Sequence, residues 1–138
     1  MFDHCLYFNT TALARALERE WTHAFKPFGL TPSQAFMLRV VLDKPGLLQS
    51  ELARELAIAR PTATRTLDGL QKLGLVERRG TPTDGREFAI HPLDAAAAIR
   101  DGLNAASAKV TRRLKKSLGA SHFDDTVAQV RQVRATLP

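Results

Sequence analysis

Between Leu70 and Ile90 the chain changes its hydrophobic period within a few residues. The run LQKLG closes a helical pattern on Gly74. The chain then continues as two short stretches rich in β-formers, 75–79 and 86–91, around six turn residues, GTPTDG. A helix that hands over directly to a tight hairpin, with no spacer, leaves few architectures open. The hairpin also carries Arg78 and Arg79 at its base and Arg86 at its rim. A hairpin that only closes a core needs no such charge.

The flanking pattern is helical. Phe8, Leu13, Leu17, Trp21, Phe25 and Phe28 recur mostly at four, then three, and predict a long amphipathic helix ending near Gly29. Thr31, Pro32 and Gln34 form a capping-box signature for a second helix that runs to about Asp43 and breaks at Lys44-Pro45-Gly46. QSELARELAI gives a short third helix that buries Leu52, Ala53 and Leu56. RPTATRTLDGLQKLG gives a fourth, with Ala63, Thr66, Leu67, Leu70 and Leu73 inward and Gly74 at the left-handed cap. After the hairpin a helix is predicted over 93–118, stopped by Gly119, and a last one is capped by Ser121. No βαβ alternation appears, so the fold class is mainly α with a small β-hairpin.

Totals exclude several classes. One cysteine in 138 residues rules out an internal disulfide and Cys-cluster zinc sites. His4, His23, His91 and His122 show no ligand spacing, so no metal site and no cofactor is expected, and no nucleophile-base set suggests an enzyme. No apolar run is long enough to span a membrane, and no secretory signal is seen, so the expected location is cytoplasmic. A net charge of +6 points weakly to an anionic partner.

Two short helices joined by a tight turn, the second opening with small polar and basic residues, follow the helix-turn-helix plan. The second must bury one face while its first turns stay free. Inward it offers Ala63, Leu67 and Leu70; outward, Arg60, Pro61, Thr62, Thr64 and Arg65. Arginine can grip guanine O6 and N7 in the major groove, and threonine can bond a base edge or pack on a thymine methyl. Ser50, Arg54, Arg78 and Arg79 are placed for phosphates, while Arg86 reaches the minor groove and Asp84 orients it. The simpler alternative is a packing unit with solvated arginines, or a winged helix used for protein–protein contact.

The motifs LTPSQ, QSELARELAI, TATRTLDGLQKLGLVER and the Asp-Gly-Arg of the hairpin, in this order and spacing, resemble the MarR family. The likeness covers nearly the whole chain. It implies one chain, 1–138, with a winged-helix DNA-binding region at 30–92 and helical dimerisation regions at 1–29 and 93–138. It further implies a homodimer on pseudo-palindromic double-stranded DNA, usually a repressor released by a small molecule or by oxidation. Half-sites would lie about 34 Å apart. Departures are Leu48 at a usual Thr cap, Arg60 where Asp or Ser is common, Gly69 at a frequent Arg, and Pro92-Leu93 before the fifth helix. Base preference therefore does not carry over.

Other features stay open between two readings. Leu6, Phe8, Leu13, Leu17, Leu118, Phe123, Val127 and Val130 form a dimer seam or close a monomer core. Trp21, Phe25 and Phe28 line a pocket for a small aromatic or phenolic effector, or are plain core. Cys5 is a redox sensor, as in the hydroperoxide-sensing branch of that family, or a structural or terminal residue. The positions of the tyrosines that assist the thiol there correspond to Phe25 and Ala35, which cannot donate. KVTRRLKK, 109–116, is a second DNA contact or the solvated face of a helix.

Overall fold

A computed structural model describes residues 1–81 and 87–138. Helix α1 (Leu6–Phe25) continues through a 3-10 turn (Lys26–Phe28) towards α2 (Pro32–Asp43). Strand β1 (Leu47–Leu48), α3 (Gln49–Glu55), α4 (Arg60–Lys72), β2 (Val76–Gly80) and β3 (Phe88–Pro92) follow, then α5 (Asp94–Leu118) and α6 (Ala120–Thr136).

Local chemistry sets the boundaries. Gln34 N–H donates to Thr31 Oγ1 at 3.2 Å and Thr31 N–H to Gln34 Oε1 at 3.0 Å, the reciprocal cap that TPSQ predicts. Gly74 has φ +72° and ends α4 in the left-handed region. The α3–α4 turn places a non-glycine residue there, Ala57 at φ +55°, at a cost of about 1–2 kcal/mol. At the far end of α2, Arg100 donates to Leu42 O at 3.0 Å and so satisfies a carbonyl that the helix leaves free.

The sheet is antiparallel in the order β1-β3-β2, with Leu47 opposite Ile90 and Arg78 opposite Ile90 on the other side. The sequence predicts only the hairpin. Two residues of β1 carry no readable alternation, and only their pairing with β3 defines them as a strand. The core lies where α2, α3, α4, α5 and the sheet meet. Met37, Leu38, Leu52, Ala63, Leu67, Leu70, Ile90 and Leu103 are fully buried, and Phe25 of α1 joins them.

Two expectations are corrected. Leu73 is half exposed, because α4 ends at Lys72 and the chain turns before its side chain can follow the inward face. Helix α6 starts at Ala120 with Gly119 as its N-cap, so Ser121 lies in the first turn and caps nothing.

Helix α1 packs along α5. Trp21 Nε1 donates to Ser107 Oγ at 3.1 Å, and Arg113 reaches Glu20 at 3.2 Å. Helix α6 contains no buried residue.

Candidate nucleic-acid interface

Helix α4 lies with one face in the core and the other open. Ala63, Leu67 and Leu70 are fully buried. Gly69 admits the Gln34 side chain, whose Nε2 lies 2.7 Å from where a Cβ would stand. Arg60, Pro61, Thr64 and Arg65 are exposed on the opposite face, next to the base of the hairpin. The opening of the helix is tied to α3: Gln49 Nε2 donates to Thr64 Oγ1 at 2.9 Å, and that hydroxyl donates to Arg60 O at 3.1 Å. The turns that carry the cations are thereby held in place before any ligand arrives.

Thr62 departs from the expected reading face. It is half-buried and borders a cavity with Trp21, Phe36 and Ile58. Thr66, one turn on, is also half-buried, and its Oγ1 donates to Thr62 O at 2.9 Å.

Arg78 also departs from expectation. Its guanidinium donates to Asp68 Oδ1 at 2.7 Å, Gln71 Oε1 at 2.6 Å and Thr64 O at 3.4 Å. The side chain is only 17% exposed. It joins β2 to the outer face of α4 and is not a free cation. Arg79 is exposed and pairs with Glu77 in its own strand. Arg54 is exposed on α3, while Ser50 is half-buried. The Ser50 N–H donates to Glu87 Oε1 at 3.3 Å, which brings a carboxylate from the end of the hairpin against the start of α3. Asp84 and Arg86 lie outside the described residues. Sequence reasoning missed Gln49, Asp68, Gln71 and Glu87. The spacing of Asp68 and Gln71, three apart on the open face of α4, was the available signal.

The cavity beside Thr62 measures about 490 Å³ and is mostly apolar. Its walls come from α1 (Leu17, Trp21), α2 (Pro32, Phe36) and the α3–α4 turn (Leu56, Ile58). Of the three aromatics proposed from the sequence, only Trp21 lines it. Phe25 is fully buried in the core, with its ring edge-on to Phe36 at 6.0 Å. Phe28 packs over Gly102 of α5, where a Cβ would come within 2.8 Å of its ring.

Cys5 is exposed, and its sulfur accepts from Phe8 N–H at 3.5 Å at the start of α1. The basic run 109–116 turns Val110 inward, while Arg113 pairs with Glu20 and Lys115 with Asp124 at 3.7 Å. Among the described residues, no group of three His, Cys, Asp or Glu could hold a metal, and no helix is long and apolar enough to cross a membrane.

Residues 28–87 match the sequence pattern of the MarR family. A Thauera aromatica protein assigned as a transcriptional regulatory protein for the hcr operon is 36% identical over 63 residues, 46% of this chain and 38% of the relative. The match thus spans less than half of that relative. The transcriptional repressor CouR, solved on a 23-mer DNA duplex, superposes with a TM-score of 0.83 at 26% identity, over 96% of this chain and 94% of CouR. CouR bound to p-coumaroyl-CoA superposes at 0.88 with 24% identity over the same shares.

Proposed function

We propose that the chain, whose residues 28–87 match the MarR family, is a homodimeric, sequence-specific DNA-binding transcriptional regulator, a repressor that responds to a small effector. The observation that carries the reading is the open face of α4. Arg60, Pro61 and Arg65 project from a helix whose other side is locked into the core, beside a hairpin of basic character. Such a helix end fits the major groove, where arginine reads guanine. Thr64 is the polar neighbour that Gln49 orients. Arg54 and Arg79 supply exposed charge for phosphates, with Ser50 at their edge. Arg78 contributes by holding the hairpin to α4. Arg86, with Asp84, is the residue proposed for the minor groove.

Dimerisation is supported by apolar surface at both ends. Leu6, Phe8, Leu13, Leu118, Val127 and Val130 are each more than 40% exposed. A seventeen-residue helix with nothing buried gains little from its own chain. The effector site proposed is the cavity lined by Trp21. Its walls belong both to α1 and to Thr62 of α4, so an occupant that prefers one spacing of these helices shifts the reading heads of the dimer. CouR with p-coumaroyl-CoA supports a phenolic compound as the effector.

The test is binding to mixed genomic duplex fragments against salt. Affinity is expected to fall steeply as counterions are recaptured. On a selected site, Arg65→Ala is expected to cost about 1–3 kcal/mol and to relax base preference at one position. A salt-independent interaction, or none, would support the protein–protein alternative.

A further inference from the structure

A second cavity, about 350 Å³, lies along α2 and shares one wall with the apolar one: Phe36 borders both. The two differ sharply in chemistry. Beyond Phe36 the walls carry Arg39, Lys44 and Arg100, with Asn104, Asp43 and Glu55. The charges there are unevenly matched. Lys44 is held by Glu55 at 2.8 Å, and its pKa is raised by that bond and by the charges of Glu55 and Asp43. The two arginines have neutral partners instead. Arg39 Nε donates to Asn104 Oδ1 at 2.8 Å and lies over the Phe36 ring at 5.0 Å. Arg100 donates to Leu42 O. Among the described residues neither arginine pairs with a carboxylate within 4.0 Å. Arg39 is partly desolvated, which lowers its pKa while leaving it charged. A guanidinium has five donors in a fixed fork that suits phosphate, and among the described residues Arg39 and Arg100 each use one of theirs within the protein.

We propose that Arg39 and Arg100 form an anion subsite continuous with the apolar cavity, so that the effector is an elongated molecule, an apolar acid joined to a phosphate-bearing tail. The acid lies against Trp21 and Leu56, the molecule passes Phe36, and the tail meets the two arginines. Glu55 and Leu56, neighbours at the end of α3, face the two cavities, so one occupant touches the helix-turn-helix unit from both sides. The inference rests on the effector cavity proposed above and adds to it the chemical class of the occupant.

Trp21 is the chain's single tryptophan and reports on the apolar cavity directly. Binding would be followed by its fluorescence and by calorimetry on the full-length protein. The probes are p-coumarate, benzoate and octanoate, the coenzyme A thioester of each, and coenzyme A alone. At least one thioester is expected to bind about tenfold or more tighter than its acid, as charge-assisted bonds of this kind allow. That preference should shrink with added salt and fall below about threefold in Arg39→Gln/Arg100→Gln, with the affinity for the acid unchanged. Since Arg100 also caps α2, Arg39→Gln alone decides the matter if the double variant loses helical signal, with a loss of about threefold or more expected. Equal binding of acid and thioester, or a preference that survives both variants, overturns the anion subsite and leaves the apolar cavity standing. No fluorescence or heat response to any probe overturns both.

Discussion

The winged-helix region and the helices that flank it handle apolar residues in opposite ways. From Leu30 to Ile90, most large apolar side chains turn inside, with Phe36, Leu73 and Phe88 the exposed ones: Leu38, Leu52, Leu67, Leu70 and Ile90 are fully buried around α4. In α1 and α6 the same residue types stay open, with Leu6 62% and Val130 48% exposed. Aliphatic side chains are spaced helically in both places, so the difference lies in what each helix meets. The central helices meet one another across short turns, whereas α6 packs mainly against α5 and buries no residue of its own. One region carries its stability within itself. The other, on the proposed reading, completes its core with a second copy of the chain.

Four changes would break or sharpen that contrast. The largest effect is expected from Val127→Glu/Val130→Glu. Charges buried at both copies of the seam should cost at least about 5 kcal/mol of association, more than a thousandfold in Kd. Light scattering should show monomer at concentrations where the parent is dimeric; an unchanged mass would place the seam elsewhere. Next, Leu67→Ala removes a fully buried side chain and should cost about 2–5 kcal/mol of unfolding free energy. Urea melts at several protein concentrations check it, and a loss below about 1 kcal/mol would mean that the centre is not the stable half.

Arg78→Gln should cost less, about 1 kcal/mol, because Asp68 is 55% exposed and its attraction is screened. Its informative readout is amide exchange, which should quicken in β2 and not in α1. The smallest effect is a gain. Ala57→Gly relieves the positive φ in the helix-turn-helix turn and should stabilise by up to about 1 kcal/mol, reduced by the greater freedom of unfolded glycine. A drop in Tm would show that the Ala57 methyl makes contacts worth more than the strain.

Much of the candidate site was legible from residue type and spacing. Pro61 in the first turn of α4, the inward triad Ala63, Leu67 and Leu70, and the exposed Arg60 and Arg65 all follow from a 3.6-residue period. Thr62 was not legible. At the edge of the buried arc, whether a residue faces solvent or a neighbour depends on where α1 crosses. The role of Arg78 was not legible either, since its partners Asp68 and Gln71 belong to another element and only the fold brings them within reach. The cavity was half legible: Trp21 follows the amphipathic period of α1, but Pro32 of α2 and Leu56 and Ile58 of the α3–α4 turn reach it from two other segments.

The amino-acid sequence by itself determined the order of helices and hairpin, the caps at Thr31 and Gly74, and the inward face of α4. These depend on interactions within a few residues, which periodicity and backbone preference encode directly. Tertiary structure alone decided that Leu47 and Leu48 form a third strand, that Phe25 is core while Phe36 divides two cavities, and that two arginines of α2 and α5 face the same space. Each of those outcomes is a meeting of residues far apart in the chain, and the distance between them is set by packing, not by spacing.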